Sequence, residues 1–187
     1  MLGPVVTDDG RLVVYLAGPE VFLSHAAEIG AAKKEICSQH GLEGLFPGEV
    51  PESDLHVEHG RLLFRSLVAM MEQSDLVIAN MTPFRGVSID AGTAVEIGFM
   101  YARGRPVFGY TNVAEDYAAR VAPDGAQVDA DGMSIELFGL TDNLMCVAPA
   151  LESGALIVQD DVPPDERFRD LRGFERCVRE AAARLSA

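Results

Sequence analysis

The stretch "DLVIANMTPFRGVSIDAGTAVEIGFMYARGRPVFGYT", residues 75–111, decides the architecture. "DLVIANMTP" is a continuous apolar run ended by Asn80, Thr82 and Pro83, which reads as a buried strand. "FRGVSID" is a loop, and Asp90 is placed to cap a helix that starts near Ala91. "RPVFGYT" is again a strand. Strand, helix and strand in this order imply a right-handed crossover between parallel strands. One residue in the helix is out of character: Glu96 stands in its second turn among small and apolar neighbours.

The pattern extends in both directions. "RLVVYLAG" is a β-rich run that turns at Gly18-Pro19. "LSHAAEIGAAKKEICSQHG" predicts a helix with Ser24 as N-cap and Gly41 as its stop. "LEGLFP" is a short strand, "PGEVPESD" a loop, and residues 59–73 a helix with Leu63, Leu67, Met70 and Met71 on its apolar side. After residue 111 the pattern loosens. "DADGMS" reads as a turn between short extended pieces, "GALIVQ" as a last strand, and Phe168, Leu171, Phe174, Val178, Ala182 and Leu185 as the apolar stripe of a closing helix. The irregular segment from Asn112 to Asp142 is long for a compact domain, and such segments often carry function. Strands alternating with helices predict a single α/β domain over residues 1–187, with a parallel sheet covered on both faces.

Composition narrows the function. The chain has 187 residues, 48% hydrophobic, and a formal charge of −14, which argues against binding a nucleic-acid polymer. No basic leader followed by an apolar run is visible, and no stretch approaches the ~20 apolar residues of a membrane helix. Cys37, Cys146 and Cys177 are far apart, which fits buried reduced thiols in a cytoplasmic protein better than disulfides or a zinc site. His56 and His59 flank Glu58 without an evident third ligand, so no metal is expected. Neither G-x-G-x-x-G nor a G-K-[ST] phosphate loop is present, and no cofactor is expected.

In parallel α/β folds ligands bind beyond the carboxyl ends of the strands. Tyr15 lies late in the first strand, and Gly18 lets a ligand approach the backbone. A helical side chain leans toward the helix N-terminus, so Glu96 points back over Gly92 toward Asp90. Glu96 would attack an electrophile while Asp90 accepts hydrogen bonds from hydroxyls. The plainer reading makes Asp90 an N-cap and Glu96 a solvated charge, and spacing leaves both open.

"YLAGPEVF", residues 75–111 and "FGLTDNLM" together resemble the nucleoside 2-deoxyribosyltransferase family, in matching order from about Arg11 to Met145. The resemblance implies a flavodoxin-like parallel sheet between helices and the transfer of 2-deoxyribose between nucleobases without metal or cofactor. It implies that Glu96 is the nucleophile, Asp90 binds the sugar and Tyr15 sits beside the nucleophile. Asn143 would reach a neighbouring subunit's site to bind the sugar 5′-hydroxyl, with Met145 beside the nucleophile. The partners implied are 2′-deoxynucleosides, free bases and further copies of the chain, in a dimer-based homo-oligomer such as a hexamer. One position departs: Leu67 stands where several members carry an aspartate that contacts and protonates the base, leaving Glu20, Ser66, Arg85 or water for base recognition.

Three alternatives stand beside this reading. One is an N-glycoside hydrolase of deoxynucleoside 5′-monophosphates, disfavoured by acidic Glu20 where a phosphate loop would lie. "AGTAVE" loosely resembles part of the G-G-x-G-T-x-x-E motif of cytokinin-activating phosphoribohydrolases. The last is a nucleoside-sensing module, which would need no nucleophile.

Overall fold

A computed structural model describes residues 10–49, 57–155 and 157–185. Its centre is three short, buried and mostly apolar strands: β1 (Leu12–Ala17), β3 (Leu76–Asn80) and β4 (Val107–Thr111). Strands buried on both faces need no polar alternation, which is why these read as continuous apolar runs. β2 (Leu42–Leu45) and β5 (Ile157–Gln159) flank them, giving the order β2-β1-β3-β4-β5, all parallel. This is the flavodoxin-like order, as the sequence leads one to expect.

Side-chain parity assigns each strand residue to one of two cores. Val14, Leu16, Ile78, Phe108 and Tyr110 pack against α1 (Ala26–Gln39) and α6 (Arg172–Leu185) through Cys37, Phe174 and Val178. Tyr15, Ala17, Val77, Ala79 and Val107 face the other way, toward α3 (Ala91–Ala102) and α5 (Leu144–Glu152), through Ile97, Met100 and Val147. Tyr15 and Tyr110 are thus on opposite sides of the sheet. α2 (Val57–Glu72) is the most loosely docked long helix, with Met71 its one buried residue.

Across the carboxyl edge of the sheet runs a polar knot. Pro19–Phe22 form a 3-10 turn after β1, and its Glu20 folds back into the core with no exposed surface. Glu20 pairs with equally buried Lys33 of α1. Its Oε1 also accepts from Asn80 Nδ2 and Tyr110 OH, each at 2.9 Å. Asn80 Oδ1 accepts the Thr82 N–H at 3.0 Å, and Thr82 Oγ1 accepts the Asn112 N–H at 3.1 Å. Asn112 Nδ2 donates to the carbonyls of Arg167 and Asp170. The Lys33 ammonium lies 5.6 and 5.1 Å from the Tyr110 and Phe174 ring centroids, adding cation–π attraction.

Several sequence expectations shift. Ser24 does not cap α1: the Ala26 N–H bonds to the Leu23 carbonyl in a turn leaving the 3-10 segment, and the helix starts after His25. Gly41 is the stop expected, with φ of 75°. Phe168 is in a turn, because Asp170 accepts the Arg172 N–H and starts α6 there. α5, hidden by the proline it contains, and the short α4 (Tyr117–Val121) lie in the part of the chain where periodicity fades. "DADGMS" is a turn, with a bridge between Val128 and Ser134. Cys146 is half-buried, unlike Cys37 and Cys177. His56 and most of the "PGEVPESD" loop lie outside the described residues.

Removing one partner of a buried charge pair leaves the other uncompensated. Lys33→Met is expected to lower stability by about 3–5 kcal/mol, read by urea unfolding. Adding Glu20→Gln should recover much of that loss. Equal stability of the single and double variants would mean that the charge pair is not the cause.

Candidate active site

A cavity of about 300 Å³ opens beyond the ends of β1 and β3, lined by Gly18, Val21, Phe22, Pro47, Gly48, Leu63, Leu67, Asp90, Gly92 and Glu96. Three of the residues singled out in the sequence, Gly18, Asp90 and Glu96, therefore meet here. The polar members all come from the start of α3. The apolar ones come from the turn after β1, the segment after β2 and the inner side of α2.

Tyr15 reaches this site from below. Its parity on β1 turns the ring toward α3, and its hydroxyl donates to Glu96 Oε1 at 2.6 Å. Burial and the adjacent carboxylate raise the Tyr15 pKa far above its ordinary value, so the phenol stays a donor. Glu96 is pushed up to about 7. Desolvation dominates, the Tyr15 hydrogen bond opposes it, and the Asp90 charge adds to the rise. The helix N-terminus favours the ionised form, but burial outweighs it. Glu96 is not a solvated surface charge.

Asp90 does cap α3: its Oδ2 accepts the Thr93 N–H at 3.1 Å. Capping fixes the carboxylate at the cavity wall rather than excluding it from the site. A Cβ on Gly92 would sit 2.9 Å from Asp90 Oδ2, so only glycine leaves that carboxylate in place. A Cβ on Gly18 would fall on Glu20 Oε2 and 2.9 Å from Asn80 Cβ. The polar knot thus fills the underside of Gly18 while its backbone lines the cavity.

Asp142 is a residue the sequence reading passed over. Fully buried, it accepts from Ser88 Oγ, from the Ile89 N–H at 3.1 Å and from Arg120 at 3.0 Å. Arg120 also donates to the carbonyls of Val87, Glu115 and Thr141. Asp142 and Arg120 therefore hold the loop that delivers Asp90. The signal was in "FGLTDNLM", one position before Asn143.

Asn143 and Met145 do not line the cavity of their own chain. Asn143 caps α5, accepting from the Met145 N–H at 3.0 Å and donating to Glu136 at 2.8 Å. Met145 is 76% exposed. Glu20 is turned away from the cavity and paired with Lys33, so it cannot read a base, and its charge no longer speaks against a phosphate. Ser66 is exposed on α2 and is not among the lining residues. A more open depression of about 500 Å³ is lined in part by Pro83, Gly86 and Val87, and its Arg120 already donates to three backbone carbonyls and Asp142. Among the described residues no group of three or more His, Cys, Asp or Glu side chains is placed to hold a metal ion. Nor is any helix among them long and apolar enough to cross a membrane.

A sequence profile of the nucleoside 2-deoxyribosyltransferase family matches residues 14–145. The chain belongs to this family. An uncharacterized protein of Schizosaccharomyces pombe is 28% identical over 93% of this chain and 90% of its own length. The structure of a 2-deoxyribosyltransferase from Leishmania mexicana is similar with a TM-score of 0.62 and 26% identity, over 73% of this chain and 85% of that one. A conserved protein from Enterococcus faecalis shares the fold at a TM-score of 0.58 and 21% identity, over 91% and 98% of the two chains. The family match spans Tyr15, Gly18, Asp90, Glu96, Asn143 and Met145.

The raised pKa of Glu96 makes a stability claim. A carboxyl that holds its proton more tightly in the fold than in the unfolded chain stabilises the fold at low pH. That contribution is lost as pH rises from the ordinary carboxylate range through about 7. Glu96→Gln, which stays neutral, should therefore melt higher than the parent at pH 8 and nearly with it at pH 4. A difference independent of pH would show that Glu96 is solvated.

Proposed function

We propose that this protein moves 2-deoxyribose between nucleobases by double displacement, with Glu96 as the nucleophile, in nucleoside salvage. The observation that carries this reading is the Glu96 carboxylate in a cavity wall, held by Tyr15 and accompanied by Asp90. In the first step a Glu96 oxygen bonds to C1′ of the sugar as the C1′–N bond breaks, and the bonding electrons leave with the base. Attack on the opposite face by nitrogen of a second base breaks the ester and restores the carboxylate, so configuration is retained. Tyr15 keeps Oε1 oriented and partly offsets the cost of ionising Glu96 in a desolvated site. Asp90, with one oxygen spent on the helix cap, has the other to accept from sugar hydroxyls. Neither step needs a metal or an organic cofactor.

The site is completed, in this reading, by a second copy of the chain. Asn143 and Met145 are at the exposed start of α5, outside their own cavity, and α5 presents Leu144 and Leu151 to solvent beside exposed Val95 and Tyr101 of α3. An apolar face of this kind marks an interaction surface. It supports a homo-oligomer in which Asn143 reaches the neighbour's sugar. Mixing Asn143→Ala with Glu96→Ala subunits, each inactive alone, should restore part of the activity, because some mixed sites have both residues intact. Demonstrated subunit exchange without recovery would remove the shared site.

Incubating deoxyinosine with adenine and separating the products distinguishes the activities. Deoxyadenosine reports transfer, and free deoxyribose reports hydrolysis. Unchanged substrate would favour a sensing module. A 2′-fluoro-arabino donor without acceptor should leave a sugar adduct on the peptide "GTAVEIGFMYAR", discharged by adenine. Glu96→Gln should lose the adduct and about a thousandfold in rate. An adduct elsewhere, or near-normal transfer by the variant, would return Glu96 to an ordinary helix charge.

A further inference from the structure

With Leu67 apolar and Glu20 buried, the base end of the cavity holds no carboxylic acid among the described residues that line it. Val21, Phe22, Pro47, Leu63 and Leu67 shape it, with Phe22 its one aromatic side chain. Phe22 is 56% exposed, yet it is held in place. Its ring stacks on Phe84, with centroids 5.4 Å apart and planes 10° from parallel, and Phe168 braces Phe84 edge-on at 6.0 Å.

Arg85 completes this group. Its guanidinium carbon lies 5.0 Å from the Phe22 centroid and 4.6 Å from that of Phe84. Arg85 is also the one described non-glycine residue with positive φ, at 54°. That conformation costs an L-residue about 1 kcal/mol. The loop imposes it, closed by the Phe84 N–H donating to the Ser88 carbonyl at 3.0 Å. Such strain persists where surrounding structure over-determines it, and it concentrates at functional positions. Among the described residues the guanidinium makes ring contacts but no hydrogen bond or ion pair, so its N–H donors are not committed to acceptors on those residues. Arg85 does not itself line the cavity, but its planar donor is held against Phe22, the lining ring on which a base would stack.

We infer that Arg85 reads the edge of the base and selects 6-oxopurines. The inference rests on the reading that a deoxynucleoside occupies the cavity with C1′ at Glu96. Guanidinium is donor-only and pairs with two acceptors on one edge. Hypoxanthine and guanine present O6 and N7, both acceptors, whereas adenine sets an amino donor beside N7. The same contact serves the chemistry that Leu67 cannot. As the C1′–N9 bond breaks, its electron pair enters the purine and spreads onto N7 and O6, where the guanidinium N–H groups meet it. The base departs as a hydrogen-bonded anion and takes its proton from solvent.

The test compares deoxyinosine and deoxyadenosine as donors to one common acceptor, and titrates hypoxanthine and adenine calorimetrically in the absence of any nucleoside. Arg85→Met should lower kcat/KM for deoxyinosine roughly 10- to 100-fold, the range of discrimination a bidentate base contact gives, with little change for deoxyadenosine. Hypoxanthine affinity should fall and adenine affinity hold. Arg85→Gly removes the guanidinium while relieving the positive-φ strain, so it should show the same selectivity loss without loss of stability. Arg85→Lys keeps the charge but not the planar fork and should not restore discrimination.

Parallel losses on both donors and both bases would reduce Arg85 to a loop support and overturn the inference. So would unchanged selectivity, or a loss confined to 5′-monophosphate donors and rescued by Lys, which would make Arg85 a phosphate contact. Transfer that proceeds with Arg85-independent base selectivity sinks this inference alone. Hypoxanthine binding that depends on Arg85, without any transfer, sinks the transferase reading alone.

Discussion

Glu20 and Lys33 have no contact with solvent, and the loops around the cavity are built on their pairing. Two charges withdrawn from water are costly unless the pair is well hydrogen-bonded. Here Glu20 Oε1 gathers Lys33, Asn80 and Tyr110, which belong to α1, β3 and β4. Its Oε2, buried and without a partner among the described residues, is tucked under Gly18. A hydrophobic plug of the same volume would serve stability as well. It would not fix the height of the turn that carries Gly18 and Phe22, because only directed bonds do that. The knot continues through Thr82 and Asn112 to the carbonyls of Arg167 and Asp170, so the strand ends are tied to one another.

On that platform Glu96 is held under opposing influences, of which burial is the larger. Burial penalises the Glu96 charge, while the Tyr15 hydroxyl at 2.6 Å favours it. The net result is a carboxyl raised to about 7, with the Tyr15 hydrogen bond limiting the rise that burial would otherwise cause. Asp90 has the opposite arrangement: it is fixed by the Thr93 N–H, and its loop is braced from behind by Asp142 and Arg120. Two carboxylates a turn and a half apart on one helix are thereby given different environments.

Away from Glu96 and Asp90 the described lining of the cavity is apolar, and the loop that supplies Asp90 also carries Phe84 and Arg85 against Phe22. One segment, residues 84–90, thus supplies Asp90 to the cavity wall and, through Phe84 and Arg85, braces Phe22 of the same wall. The family profile covers this segment together with Asn143, which caps α5, and the exposed Met145.

The sequence by itself determined the alternation of strands and helices, since buried parallel strands write themselves as unbroken apolar runs and Asp90 and Gly41 are local signals. It also put Glu96, Asp90 and Gly92 on one helix start, because helical spacing is local. Ser24 misled, since a turn that the chain takes after Phe22 competes with capping, and α5 was illegible because Pro149 breaks the expected pattern. Only the tertiary structure decided which way Tyr15 and Tyr110 face, as an apolar run carries no mark of parity until each face has its helix. Only it turned Glu20 inward to Lys33 and brought Arg85 onto Phe22, 63 residues away in the chain. The reason is physical: backbone propensity acts over a few residues, whereas the partner of a buried charge is chosen by the packing of the whole sheet.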